Sequence, residues 1–174
     1  MCRLMKLNPS MELEYKNYMK EWLCSGEVIV PMSSRSDNKN FSDYLRLQKE
    51  WETEEGCPEN FVPGTTWFYV NEQGRILGAV NLRHRLNDYL FSVGGHIGYG
   101  VRPSERRKGY ASKILSLALE KAKGLGLHKV LITCDKDNCG SARTIQKNHG
   151  ILENEVQDEN SITQRYWINL DNSF

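Results

Sequence analysis

The sequence predicts a mixed α/β protein, and three observations carry that reading. Short β-branched and aromatic runs recur at Thr66 to Val70, Ile76 to Leu82, His96 to Val101 and Lys129 to Cys134, each bounded by turn residues. One strongly amphipathic stretch, Gly109 to Lys123, stands between the last two runs, with Ala111, Ile114, Leu115, Ala118 and Ala122 on one face at helical spacing. Hydrophobic residues make up 39% of the 174, enough for one sizeable core, so a single domain over residues 1–174 is expected.

Taken in order, residues 1–7 alternate as a short first strand, stopped by Asn8-Pro9. Ser10 is placed to cap a helix carrying Leu13, Met19, Trp22 and Leu23. Residues 31–40 are a polar loop, and Phe41 to Glu55 forms a second helix with an acidic end. Two prolines and a glycine make Cys57 to Thr65 a loop. The strands Thr66 to Val70 and Ile76 to Leu82 flank Asn71-Glu72-Gln73-Gly74, a hairpin turn, and Arg83 to Phe91 is polar and irregular. The third sheet strand, His96 to Val101, follows Gly94-Gly95. Gly124 and Gly126 end the Gly109 helix, the Lys129 strand follows, and Ser141 to Asn148 forms a short helix. Ile151 to Val156 and Thr163 to Leu170 close the chain as an antiparallel pair. This order (strand, two helices, three strands, helix, strand, helix, two strands) is not that of a regular doubly wound sheet.

Composition excludes several functions. With 23 Lys and Arg against 22 Asp and Glu, no nucleic-acid or membrane-surface partner is expected. No apolar run is long enough for a membrane span or a signal peptide. The five cysteines are scattered with no CxxC pair, which argues for free thiols in a reducing cytoplasm and against a zinc site.

The chemistry concentrates in GYGVRPSERRKGYASKILSLAL. A strand ending at Val101 turns at Pro103 and enters a helix at Gly109, and a helix start offers unpaired N–H groups and a positive dipole end. That is an anion site suited to phosphate. Gly109 lets a phosphate approach the backbone, and Arg106, Arg107 and Lys108 add positive charge. Neither GxxxxGKS/T nor GxGxxG is present, so a nucleotide-hydrolysing loop and a dinucleotide fold are unsupported.

Arg106-Arg107-Lys108-Gly109-Tyr110-Ala111 resembles the Q/R-x-x-G-x-G/A signature of the GNAT acetyltransferase superfamily, with Val101-Arg102-Pro103 as its lead-in. Asn138-Cys139-Gly140-Ser141 is similar to the family's N-x-x-A/S helix opening, and the order of elements matches over nearly the whole chain. The longer string GGHIGYGVRPSERRKGYA resembles a bacterial subgroup of undefined acceptor. The resemblance implies a mostly antiparallel central sheet flanked by helices. It implies acetyl-CoA as acyl donor, no metal, and direct transfer of acetyl to an amine, most simply of a small molecule, by a cytoplasmic monomer or homodimer. A different acyl-CoA, or a non-catalytic acetyl-CoA sensor, is the alternative.

By that resemblance, N–H groups from Arg106 to Ala111 would hold the pyrophosphate, and Lys108 would meet the adenosine phosphate or remain solvated. Val101 and its strand neighbour Tyr99 would pair with the pantetheine arm as with an added strand. Asn138 and Ser141 would fix that arm, or serve as a turn and a helix cap. A base must remove the amine's proton, and His96 on the central strand is the first candidate, its ordinary pKa of roughly 6.5 suiting the task. The alternative for His96 is a hydrogen bond within the sheet. Glu105 is read as capping, and His84 and His149 as surface or structural. Many family members protonate the departing thiolate with a tyrosine seven residues after the motif asparagine; that position is Ile145 here, leaving Tyr99, Tyr110 or Cys139 as substitutes through water, or a thiolate that departs without dedicated help. Glu50, Glu52, Glu54, Glu55 and Glu59 could attract a cationic amine or form a solvated face. Trp51 and Trp67 could line an acceptor pocket, with core packing the better account of Trp67.

Overall fold

Turn and cap residues set the element boundaries in the computed structural model, which describes residues 2–157 and 161–171. β1 (Arg3–Met5) precedes α1 (Glu12–Ser25), which Gly26 ends in a left-handed conformation at φ 68°. Asn40 caps α2 (Phe41–Glu50) by accepting from the Asp43 N–H. β2 (Gly64–Val70) and β3 (Ile76–Arg83) form the predicted hairpin, followed by β4 (Ile97–Val101), α3 (Tyr110–Gly124) and β5 (Lys129–Asp135). α4 (Cys139–Lys147), β6 (Ile151–Gln157) and β7 (Ile162–Asn169) complete the order.

The strands form two antiparallel sheets, β1-β2-β3-β4 and β5-β7-β6, flanked by helices. The mixed, mostly antiparallel architecture expected from the sequence is the one observed. One core gathers Ile114, Leu115, Ala118 and Ala122 of α3 against Val80, Leu82 and Ile97 and then against Val130, Ile132 and Ile168, spanning both sheets. A second, aromatic core packs Tyr15, Tyr18, Trp22, Phe41 and Tyr44 on the opposite face of the first sheet, over Phe68, Val70 and Ala79. No helix among the described residues is long and apolar enough to cross a membrane.

Several boundaries differ from the sequence reading. α2 stops at Glu50 rather than Glu55, because the chain folds back on the helix end. The Trp51 carbonyl accepts from the Gly64 N–H, and a Cβ on Gly56 would run into the Glu50 carbonyl. α4 begins two residues early, at Cys139, since its cap is Asn138. β3 runs on through Arg83, into the stretch read as irregular. In α1 the buried face is Tyr15, Tyr18 and Trp22, while Leu13 and Leu23 point to solvent.

Candidate active site

The two sheets meet at one residue pair, beyond which β4 and β5 part. The His96 N–H donates to the Leu131 carbonyl at 2.7 Å, and the Leu131 N–H donates back to His96 Nδ1 at 2.9 Å. Gly95, at φ 65°, permits this approach, since a Cβ there would sit 2.8 Å from the Leu131 oxygen. Among the described residues no further backbone bond joins β4 to β5. The Arg83 N–H donates to the His96 carbonyl and the Arg102 N–H to the Leu77 carbonyl, which fixes the alternation along β4. Even-numbered residues therefore bond β3, and the N–H and C=O groups of Ile97, Tyr99 and Val101 point into the gap.

That gap leads to the start of α3. Gly109 takes φ 81° and Arg107 φ 65°, and the first helical bond runs from the Lys113 N–H to the Gly109 carbonyl. The N–H groups of Tyr110, Ala111 and Ser112 precede that bond and lack helical acceptors. The Arg106 N–H, by contrast, is already directed to the Pro103 carbonyl, at 3.4 Å. A groove of about 400 Å³ continues from Gly109 along Ser112, Lys113 and Ser116 to Lys147 and His149.

The basic side chains of the loop are mostly engaged. Arg106 pairs with Glu27 at 2.8 Å and lies over the Trp22 ring at 5.1 Å. Lys108 and Arg75 share Glu105, so Glu105 is an ion-pair hub rather than a cap. Arg107 is exposed. Sequence reasoning missed Arg102, which is buried at the end of β4 and donates to Glu14, Glu21 and the Ile76 carbonyl. Against the burial that would raise it, hydrogen bonds from Ser104 and Arg102 bring the Glu21 carboxyl down to about 2. Glu14 and Glu21 lie 88 and 81 positions away in the chain, so no local motif signals the cluster.

On the opposite face of the first sheet lies a cavity of about 610 Å³, walled by the α1–α2 connection, α2, the 57–64 loop and the turn before β4. Trp51 lines it, whereas Trp67 packs against the core. Asn81 and Arg83 project from β3, and Gly98 lies opposite Asn81 in register, bare of a side chain. None of the five glutamates of the acidic cluster lines this cavity. Glu50, Glu52 and Glu54 pair instead with Arg46, Lys6 and Arg85.

The structure brings Tyr99, Ser141 and Asn138 together. The Tyr99 hydroxyl and Ser141 Oγ lie 2.9 Å apart across the gap between β4 and α4, and burial pushes the phenol up to about 12. Asn138 Oδ1 accepts from the Ser141 N–H at 3.0 Å, so Asn138 is a helix cap. Ile145 is fully buried in the core. Tyr110 packs on Tyr69 at 5.9 Å, and Cys139 is exposed on the first residue of α4. His84 is half-buried and bonded to Thr65 Oγ1.

For His96 the hydrogen bond within the sheet, the alternative to a base, is the one observed. The residue is only 6% exposed, and its Nδ1 accepts a backbone N–H, so the neutral ring carries its proton on Nε2. Burial, with a smaller contribution from Arg83, pulls its pKa down to about 4. A ring in this state offers no free lone pair, and a proton on Nδ1 would set two donors against each other. The geometry makes it a sheet-junction residue rather than a base.

The site thus combines a helix start with open amides, an unpaired strand edge beside it, and a separate cavity against β3 on the other face of the first sheet. The chain belongs to the acetyltransferase (GNAT) family, whose model matches residues 28–151. Comparison with curated protein sequences gives no match. Among solved structures, the fold is similar to the spermidine/spermine N-acetyltransferase SpeG from Vibrio cholerae, solved with manganese ions (16% identity, 98% of this chain and 93% of that one, TM-score 0.65). It is also similar to YncA from Salmonella typhimurium, solved with its cofactor acetyl-CoA (13% identity, 99% and 95% coverage, TM-score 0.64).

Proposed function

We propose that the chain transfers an acetyl group from acetyl-CoA directly to a primary amine of a small molecule. The observation that carries this reading is the meeting of the open β4 edge with the open amides of α3, backed by a separate cavity against the neighbouring strand β3 on the other face of the sheet. The N–H groups of Arg107 to Ala111 would take the pyrophosphate, with the Arg106 side chain left to its ion pair with Glu27. Ile97, Tyr99 and Val101 would pair with the amides of the pantetheine arm as an added strand. Lys113 and Lys147, beside the groove from Gly109, are placed for the adenosine phosphate, and Asn138 acts by fixing α4.

Bound acetyl-CoA supplies an activated thioester. The amine nitrogen, free of its proton, attacks the acetyl carbon from the cavity side; the C–N bond forms, the C–S bond breaks, and the thiolate leaves with the electron pair. The amine's proton goes to water through the cavity mouth, since His96 has no lone pair to give. The Tyr99 hydroxyl gives a proton to the departing thiolate while Ser141 Oγ keeps its orientation, and the second proton that the nitrogen sheds as the amide forms returns to Tyr99. A second reading, a non-catalytic acetyl-CoA sensor, is favoured only by the burial of Ile145 at the usual acid position.

Calorimetric titration with acetyl-CoA, followed by thiol release over a panel of amines, tests the proposal. Binding with amine-dependent release is expected. No binding refutes the donor site, and binding without release from any amine supports the sensor.

A further inference from the structure

The 610 Å³ cavity contains a cation with no anion to meet it. Arg83 reaches into it from β3, half-buried, and its Nη1 donates to the Gly94 and Gly95 carbonyls at 3.0 and 3.2 Å. Its Nε and Nη2 have no acceptor among the described residues, and no carboxylate there pairs with it. Nη2 lies over the bare face of Gly98, where an added Cβ would be only 3.5 Å away. A guanidinium facing a cavity rather than open water needs acceptors for its donors, from the protein or from a ligand. Here one edge of the fork is committed and the adjacent edge is open.

The rest of the lining has the same sign. Arg35 and Lys39 stand on the α1–α2 connection, and among the described residues the only acidic side chain in the wall is Asp37, which is exposed and 3.8 Å from Arg35. The other walls are apolar: Leu47, Trp51, Phe61, Val62 and Leu90. A polycationic amine would meet like charge at three points and find one carboxylate. A single anionic group would find a planar two-donor edge, the geometry that carboxylates fit best.

We infer that the acceptor is a primary amine that also carries a carboxylate, an α-amino acid with an apolar side chain, gripped through its carboxylate by the open edge of Arg83. This rests on the transferase reading above and names the substrate class of the same site. With the carboxylate on Nε and Nη2, the α-amine one carbon further on is held over Gly98, on the strand whose opposite edge receives the donor. The apolar wall takes the side chain.

The test compares the twenty L-amino acids with their carboxamides and with spermidine, by acetyl-CoA-dependent thiol release and by calorimetry with CoA present. At least one apolar acid is expected to exceed its own amide by about a hundredfold in kcat/KM, a factor consistent with a lost buried charge-assisted pair. Arg83→Gln should collapse that ratio towards unity with acetyl-CoA affinity unchanged. Arg83→Lys, which keeps the charge without the fork, should retain part of it. Lys39→Glu, on the exposed rim, leaves the core untouched and should raise KM for the acid severalfold but not for the amide. Equal use of acid and amide, preference for spermidine, or no binding of any acid while acetyl-CoA still binds overturns the inference and leaves the transferase reading standing. Failure of acetyl-CoA itself to bind overturns both.

Discussion

Acid should open the junction between the two sheets, and one residue sets the pH at which it does. His96 is neutral in the fold, with a pKa of about 4 against an ordinary 6.5, because burial penalises its charged form and the nearby Arg83 charge adds to that penalty. A group whose folded pKa is depressed contributes stability that is present above its unfolded pKa and lost as pH falls through the folded one. The window is therefore pH 6.5 down to about 4. Lowering a pKa by one pH unit corresponds to about 1.4 kcal/mol, so the full loss is about 3 kcal/mol, a large fraction of a typical domain's stability. Urea melts at half-unit steps between pH 7.5 and 4 would follow it. His96→Asn places a non-titrating oxygen where Nδ1 lies; it should be less stable at neutral pH through lost ring packing on Trp167 but nearly flat across the window. The Glu21 carboxyl, at about 2 against an ordinary 4.5, begins to lose its own contribution only at the acid end of this range and does so equally in both proteins, so it cancels from the comparison. Equal pH slopes in the two proteins would refute the argument.

Other outcomes follow from the same geometry. Gly109→Val forces a branched side chain to φ 81° beside the open amides; acetyl-CoA affinity by calorimetry should fall at least about tenfold, with a stability cost of about 1–2 kcal/mol in thermal melts. Arg102→Ala leaves Glu14 and Glu21 facing each other without their shared cation, and should cost about 3 kcal/mol in denaturant melts. Tyr99→Phe should lower kcat about a hundredfold while leaving the KM for acetyl-CoA unchanged, as steady-state kinetics would report. The kcat/KM of the intact enzyme should rise with pH towards the acceptor amine's own pKa, with no inflection near 6.5 or 4 from His96. A break at either value would restore the imidazole as base.

The parts of this architecture that local patterning controls are legible in the sequence. The Gly109 helix declares its buried face by spacing, the hairpin by its turn, and the phosphate loop by the strand and proline that precede it. What stays hidden depends on partners distant in sequence. Arg102 looks like part of a loop motif until Glu14 and Glu21 arrive from α1. His96 looks like a base until the Leu131 backbone, 35 residues on, takes its lone pair. The end of α2 is misread because good helix formers, Glu52, Glu54 and Glu55, continue past Trp51 while the chain itself turns back through Gly56. The cavity is the least legible of all, being assembled from four separate stretches of chain. Its charge comes from Arg83, in a segment that the pattern marks as irregular.

The parting of β4 from β5 has a consequence for solubility as well as for binding. An exposed strand edge invites pairing with another molecule's strand, and proteins usually blunt such edges with charge, proline or a covering loop. Here the unsatisfied row of Ile97, Tyr99 and Val101 looks inward, between two sheets pinned at His96 and beneath two helices. A slender chain bearing amides but no side chains would enter that gap. The fold thus keeps a sticky edge available to one shape of visitor and closed to its neighbours in a crowded solution. Amide hydrogen exchange at those three positions would register when the visitor is in place.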